Sequence, residues 1–183
     1  MNRHSVYPKW GADKWHDDKS KCGGCLIDTH IHDVDIARFL LGEPDKVSAI
    51  TFENLPHYQY INTRLTFGDI KVVVDGSWDD SYTEPFKADY RARFEKATVY
   101  CDFEKVTVFP NEGTPFTPKL PKNDAYTEEI RQFAAIISDN GALANPNTPE
   151  SAHMTMRLIE AIARSADCNG ELIDFTKIIA DGD

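Results

Sequence analysis

Acidic and imidazole side chains recur at helical spacing within one otherwise apolar stretch of the chain, GGCLIDTHIHDVDIARFLLG. At about 100° of rotation per residue, three of them, Asp28, His32 and Asp35, fall with Phe39 within roughly one 60° stripe of a helix. The rest of the circumference is largely Leu, Ile, Val and Ala, so we expect a helix that is buried on most sides. Buried carboxylates and imidazoles must be paired or must line a cavity. The stripe therefore marks the place to look for acid-base chemistry.

The pair formed by Asp28 and His32 allows two interpretations. Near neutral pH a neutral imidazole can take a proton from a reacting hydroxyl, and a carboxylate one helical turn earlier can stabilise the resulting imidazolium. Alternatively, the two side chains form an i,i+4 pair that only satisfies a buried polar patch. The helix itself should end at Gly42, which can adopt the left-handed C′ conformation, because Pro44 cannot continue it.

Composition limits the classes of partner. The chain has 183 residues, 41% of them hydrophobic, which is enough for the core of one domain. Its 30 acidic and 20 basic side chains give a net charge of -10, which disfavours nucleic acid and anionic membranes as partners. No apolar run approaches the roughly 20 residues of a membrane span, and no secretion signal opens the chain, so a cytoplasmic location is expected.

The four cysteines do not suggest a disulfide framework or a zinc site. Cys22 and Cys25 form a C-x-x-C motif, but no second pair accompanies it. We expect free thiols and interpret the motif as part of a Gly-Gly turn before the helix.

The middle of the chain predicts strands. Val47–Phe52, Tyr58–Phe67 and Ile70–Trp78 read as an antiparallel meander, with a tight turn at Gly68-Asp69 between the last two. Further strand-like runs follow at Tyr90–Glu95, Ala97–Phe103 and Val106–Phe109. A short strand is also expected before Cys22. We predict a sheet of five to seven strands.

Prolines at 110, 115, 118 and 121 predict an irregular crossover, after which the apolar period becomes helical. Tyr126–Ser138 and Thr148–Ala166 are predicted amphipathic helices, the second capped by Thr148, and Leu172–Phe175 is a predicted edge strand. The fold class is therefore α+β: an open, mainly antiparallel β-sheet with helices packed on one face. The other face carries large apolar side chains and should be covered by a partner subunit or another domain.

The segment GGCLIDTHIHDVDIARFLLGEP resembles the G-G-x-x-x-D-x-x-x-H-D-x-D signature, followed by L-x-G-x-P, of the C-terminal domain of the glucose-fructose oxidoreductase/inositol dehydrogenase/MocA family. GSW at Gly76–Trp78, YTEEIRQF at Tyr126–Phe133 and TPESAHMTMRLIEAIARSA at Thr148–Ala166 are also similar to family segments, in the family's order. The resemblance covers nearly the whole chain. It implies a fold like the C-terminal domains of dihydrodipicolinate reductase and glyceraldehyde-3-phosphate dehydrogenase.

The resemblance also implies an activity. Family members are NAD(P)-dependent oxidoreductases, and here the reaction would be hydride transfer on a sugar, polyol or related secondary alcohol. The family's catalytic pair corresponds to Asp28 and to His32 as general acid/base. Trp15, His16 and Tyr126 correspond to positions on the substrate side. Asp33 and Asp35 belong to the signature but are expected to be structural, with Arg38 among their partners.

No glycine-rich dinucleotide turn and no Glu-Lys-Pro segment occur in the sequence, so the cradle for a pyrophosphate is missing. We expect residues 1–183 to be a single substrate-binding and oligomerisation domain that forms a homo-oligomer through its sheet face. The N-terminal nucleotide-binding domain would be separate, and no NAD or NADP should bind to this chain alone.

Two other functions remain open from the sequence. One is a non-catalytic module that dimerises through its sheet or binds a partner. The other is a metal-dependent hydrolase in which His30 and His32 form an H-x-H metal motif. That motif requires a strand, on which residues two apart share a face, whereas the flanking apolar spacing favours a helix.

Overall fold

The computed structural model describes residues 1–18, 20–52, 58–102, 104–120, 124–139 and 142–180. Its centre is one sheet with the strand order β7-β6-β5-β1-β4-β3-β2-β8. The strands are β1 (Asn2–His4), β2 (Lys46–Thr51), β3 (Tyr60–Phe67), β4 (Ile70–Ser77), β5 (Lys87–Arg93), β6 (Ala97–Asp102), β7 (Val106–Pro110) and β8 (Ile173–Asp174). Every pairing is antiparallel except that of β1 with β4.

The predicted meander is confirmed as β2-β3-β4, and Gly68 turns between the last two strands with a φ of 56°. Described residues form eight strands, so the predicted five to seven was too low. The short strand expected before Cys22 is confirmed as β1, but its position inside the sheet, between β4 and β5, was not predicted, because only long-range pairing can hold so short a strand. The predicted edge strand is confirmed as β8 beside β2. Phe103 and Pro121, the ends of two predicted segments, lie outside the described residues.

The helices are α1 (Ile31–Leu41), α2 (Ala125–Ser138), α3 (Pro149–Asp167) and α4 (Phe175–Ala180). The predicted cap of α3 is confirmed, since the Ser151 N–H donates to Thr148 Oγ1 at 3.2 Å. Gly42 ends α1 with a φ of 84°, as predicted. The short α4 was not predicted. Within the described ranges, no helix is long and apolar enough to span a membrane.

A π-helical turn, Leu26–His30, leads directly into α1. The N–H of Ile31 donates to the carbonyl of Leu26, five residues earlier. A turn of this kind holds one more residue than an α-helical turn and often occurs at functional sites. The sequence predicted a regular helix here, because hydrophobic spacing does not register a single widened turn.

One face of the sheet carries the core. Ile61, Leu65 and Phe67 of β3 lie on this face, and Val74 and Gly76 of β4 lie beside them, all buried. The helices α1 and α3 pack against this face, with α3 lying mainly over β2. Buried residues therefore alternate with more exposed ones along β3, as is usual for a sheet with one covered face.

The π-helical turn and α1 together form the helix of the GGCLIDTHIHDVDIARFLLG segment, here called the signature helix. The prediction that it is buried on most sides was wrong. Ile27 is 43% exposed, Phe39 73% and Leu40 66%. The helix contacts the sheet and α3 through one side only, so its opposite side lies outside the core of this chain.

His30 fixes the closest approach of the signature helix to the sheet. Its side chain is fully buried, and Nε2 lies 2.9 Å from Thr63 Oγ1. A Cβ atom on Gly76 would lie only 2.7 Å from Nδ1 of the same ring. Burial lowers the pKa of His30 to about 4, so the ring is neutral at neutral pH. Any side chain at position 76 would overlap the His30 ring, so the close packing requires glycine there.

Two ion pairs hold the same side of the helix. Arg3 of β1 makes bidentate hydrogen bonds of 3.0 Å to the fully buried Asp33. Arg38 bonds Glu43 and, through Nη1, the Ser151 carbonyl at 2.9 Å. Buried charges need such partners, because an unpaired one would cost several kcal/mol. The predicted structural roles of Asp33 and Asp35 agree with these contacts, since Asp35 lies 3.7 Å from Arg38.

We expect Gly76→Ala to lower the free energy of unfolding by about 1–3 kcal/mol, because the added methyl overlaps the His30 ring. The double variant Gly76→Ala/His30→Ala should lose less than the sum of the two single variants, since removing the ring frees the space that the methyl needs. Urea unfolding of all four proteins measures the coupling. Additive losses would show that the ring does not set the spacing between helix and sheet.

The open face of the sheet carries a polar cluster around Asp75 of β4. This carboxylate accepts hydrogen bonds from Tyr60 Oη at 2.8 Å and Asn62 Nδ2 at 2.7 Å, and lies 2.9 Å from His4 Nε2. Burial opposes its ionisation, but the three hydrogen bonds together lower the pKa of Asp75 to about 2. The hydrogen bond to Asp75 in turn raises the pKa of His4.

Replacing Asp75 by Asn should return the pKa of His4 toward its ordinary value of about 6.5, measured by NMR titration of the imidazole. Because the folded-state pKa of His4 is raised, its stabilising contribution is complete below about pH 6.5 and is lost as the pH rises through the folded-state value. If the pKa of His4 were the same in the Asp75→Asn variant, Asp75 would not be the group that stabilises the charged imidazole.

Candidate active site

Asp28 and His32 lie on the outward side of the signature helix. His32 is exposed in the first turn of α1, and Asp28 is half-buried in the π-helical turn before it. Asp35 and Phe39, the other members of the predicted stripe, are also exposed. Asp35 nevertheless contacts α3, because its Oδ1 accepts a hydrogen bond from Thr155 Oγ1. The predicted stripe is thus exposed at three of its positions and half-buried at Asp28.

The two side chains do not form the predicted helical pair. Among the described residues, neither Asp28 nor His32 makes a hydrogen bond or an ion pair. The interpretation as a pair satisfying a buried polar patch does not fit this arrangement, because His32 is exposed. An imidazole with both ring nitrogens open can accept a proton from a group that approaches from outside. Catalytic hydrogen bonds are often long or absent in unliganded sites and form only when substrate binds. Asp28 and His32 can therefore still act together on a bound substrate.

His30 and His32 have opposite environments. His30 is sealed between the helix and the sheet, whereas His32 lies on the outward side. The H-x-H metal motif would need both imidazoles on one side, and the helical backbone separates them. The described ranges contain no group of three or more His, Cys, Asp or Glu side chains placed to hold a metal ion.

The structure brings Trp15 and His16 together. Their rings stack with centroids 3.8 Å apart, in the 3₁₀ segment Ala12–Asp17. The His16 side chain is 1% exposed, and it lines a cavity of about 340 Å³. Tyr126, the third residue on the predicted substrate side, lies on α2 with 80% of its surface exposed. Another cavity, of about 230 Å³, lies beside Asp35 and Phe39. Tyr126 lines neither of these two cavities.

Sequence reasoning missed several residues of the larger cavity. Tyr82 lies far along the chain, and only folding brings its ring under Lys9, whose Nζ is 3.3 Å from the ring centroid. Lys14 lines the cavity from a left-handed backbone conformation with a φ of 48°. The dense run of aromatic and basic residues from Tyr7 to His16 was the available signal.

The C-x-x-C motif has a packing role. Cys22 and Cys25 are buried free thiols, and the Gly24 N–H donates to Cys22 Sγ at 3.4 Å. Burial raises the pKa of Cys25 to about 12, so its reactive thiolate is not available. This agrees with the interpretation of the motif as part of a turn before the helix. The Cys22 thiol also occupies the start of the helix, where a dinucleotide site would present free N–H groups to a pyrophosphate.

Comparison with known proteins places this geometry in a family. Residues 1–102, more than half of the 183, match the GFO/IDH/MocA C-terminal domain. D-xylose 1-dehydrogenase (NADP(+)) 2 of Haloferax volcanii is 25% identical over 166 residues, which are 86% of this chain and 50% of that protein. The scyllo-inositol 2-dehydrogenase (NAD(+)) of Bacillus subtilis is 29% identical over 129 residues, which are 63% of this chain and 38% of that protein.

The fold agrees with these matches. Aldose-aldose oxidoreductase from Caulobacter crescentus, solved in complex with glycerol, superposes with a TM-score of 0.74 at 18% identity, over 94% of this chain and 54% of that one. The chain thus spans about half the length of the solved structure and half or less of the two curated relatives. The signature helix with Asp28 and His32 lies inside the matched residues, and by that match the chain belongs to the GFO/IDH/MocA C-terminal domain family.

Proposed function

We propose that this chain is the substrate-side and oligomerisation domain of an NAD(P)-dependent dehydrogenase that oxidises a secondary alcohol of a sugar or polyol. The observation that carries the proposal is the position of His32: its open imidazole projects outward from a helix that His30, Asp33 and Arg38 anchor to the core. The two relatives support the substrate class, since one acts on D-xylose and the other on scyllo-inositol.

In the proposed reaction, His32 takes the proton of the substrate hydroxyl. A bound nicotinamide would supply the redox chemistry by accepting the hydride from the carbon that carries this hydroxyl. The proton comes to rest on one ring nitrogen of His32, and the carboxylate of Asp28 stabilises the charge that develops there. Trp15 and His16 are proposed to contribute to the substrate side. Tyr126 would join them only if α2 is held near the signature helix.

We propose that this chain does not itself bind the dinucleotide. The sequence has no G-x-G-x-x-G turn, and the start of the signature helix is packed against a thiol. We therefore propose that a separate nucleotide-binding domain holds NAD or NADP over the stripe of Asp28 and His32. Water would be excluded from the stripe only in that assembled state.

Two exposed apolar surfaces support such a covering domain. The outward side of the signature helix exposes Ile27, Phe39 and Leu40. On α2, a continuous stripe at helical spacing is 61–80% exposed, and it consists of Tyr126, Ile130, Phe133 and Ile137. Apolar surface of this extent usually marks an interface.

The open face of the sheet is the proposed oligomer interface. Ile50 and Val73 are each about half exposed there, around the polar cluster centred on Asp75. A second copy of the chain would bury these side chains, and an antiparallel sheet with one bare face commonly gains such a partner.

Replacing His32 by Ala in the protein with its nucleotide-binding domain should lower kcat by about 10²–10⁴-fold, the usual contribution of a general acid/base. The Kd for NAD or NADP should stay within about twofold, because His32 does not hold the cofactor in this proposal. Steady-state kinetics and calorimetry on the same preparations separate the two quantities.

His153→Ala is the matched control, since this imidazole is exposed on α3 and has no role in the proposed reaction. Its variant should keep normal turnover. An unchanged rate for His32→Ala would remove His32 from the chemistry, whereas an equal loss in both variants would indicate a general effect of removing imidazoles.

The 183-residue chain by itself should show no NAD or NADP binding in a calorimetric titration, because no pyrophosphate cradle exists among its described residues. The same titration with the nucleotide-binding domain present provides the positive control. Micromolar binding of NAD or NADP to the chain alone would contradict the proposal that a separate domain holds the cofactor.

A further inference from the structure

A half-open cavity of about 340 Å³ lies beside the 3₁₀ segment. Its volume lies at the lower end of the roughly 300–1,000 Å³ that is usual for ligand sites. One wall is the loop from Tyr7 to Asp17, and Tyr82 closes the opposite side. Binding sites commonly combine apolar walls with a few convergent polar groups, and this cavity has both.

The charges in the cavity favour an anion. Lys9 and Lys14 both line it, and among the described residues neither forms an ion pair with a carboxylate. The only carboxylate in the lining, Asp17, accepts a 2.6 Å hydrogen bond from Tyr7 Oη. Lys9 instead lies over the Tyr82 ring, with Nζ 3.3 Å from the centroid. Two ammonium groups without a carboxylate partner in one cavity are notable in a chain of net charge -10, because acidic side chains are plentiful as alternative partners.

The aromatic groups favour a ring-shaped ligand with hydroxyls. Trp10 lines the cavity and lies edge-on to His16, with ring centroids 4.7 Å apart. The Nε2 atom of His16 is buried and has no hydrogen-bond partner. A buried imidazole nitrogen without a partner is unfavourable, and a ligand hydroxyl that reached it after a movement of Trp10 would supply the missing hydrogen bond. Trp10 is 64% exposed, so it has room to move.

We propose that this cavity binds an anionic sugar, with the carboxylate or phosphate group between Lys9 and Lys14 and the sugar ring against Trp10. The assignment rests on the proposed function, because it names the class of substrate that the same domain would select. Charge-assisted hydrogen bonds from two ammonium groups would make the anionic group the main determinant of affinity. Asp17, fixed by Tyr7, would accept a sugar hydroxyl.

Intrinsic fluorescence reports directly on this cavity. The chain has three tryptophans, and all of them contact the His16 ring: Trp10, Trp15 and Trp78. The 183-residue chain is titrated separately with glucuronate, glucose 6-phosphate, glucose and inorganic phosphate, and calorimetry on the same samples detects binding that leaves fluorescence unchanged.

We expect glucuronate or glucose 6-phosphate to bind saturably and glucose to bind about tenfold more weakly, since glucose lacks the charged group. Whichever of the two anionic sugars binds more tightly identifies a carboxylate or a phosphate as the preferred group. The double variant Lys9→Gln/Lys14→Gln should weaken that binding by about tenfold or more. Lys46→Gln/Lys105→Gln, which removes two exposed lysines elsewhere, should leave it unchanged.

Three results would overturn the proposal: equal affinity for glucose, equal affinity for inorganic phosphate alone, or no binding by either method. Equal weakening in both double variants would also overturn it, because the effect would then be one of net charge. None of these results depends on hydride transfer. A failure here leaves the role of His32 intact, and a failure of His32→Ala to affect turnover leaves this binding site intact.

Discussion

The buried side of the signature helix determines the rest of the site. His30 lies on the bare backbone of Gly76, Asp33 is held by Arg3 from β1, and Arg38 reaches α3. Each contact joins a polar group to a different element, so rotating the helix would leave a buried charge or imidazole without its partner. The helix therefore has one orientation, and the opposite stripe, with Asp28 and His32, must point outward.

This constraint is compatible with the proposed roles of His32, which is exposed, and of Asp28, which is half-buried. The helix is held to the core along one side, and its other side is left apolar and uncovered around His32. The same division applies to the sheet, where one face carries the core and the other carries a hydrogen-bonded polar cluster among exposed aliphatic side chains. Both uncovered surfaces fit a domain whose function is completed by assembly.

Local patterns predicted much of the fold. The meander followed from alternation and from the Gly68 turn, and the cap at Thr148 followed from the Thr-Pro pair. Helical spacing also identified the stripe of Asp28 and His32. By contrast, neither the π-helical turn nor the insertion of β1 between β4 and β5 was predicted. A widened turn changes no residue type, and a three-residue strand has too little sequence to show its pairing partners.

The sequence by itself determined which side chains share a strand face or a helix stripe, because backbone period depends only on neighbours along the chain. It also carried the family signature. Only the tertiary structure decided which of two histidines is sealed and which is open, and which lysines share a cavity with Tyr82. Those outcomes depend on contacts between residues tens of positions apart, such as His30 with Gly76 and Lys9 with Tyr82, and no local pattern encodes them.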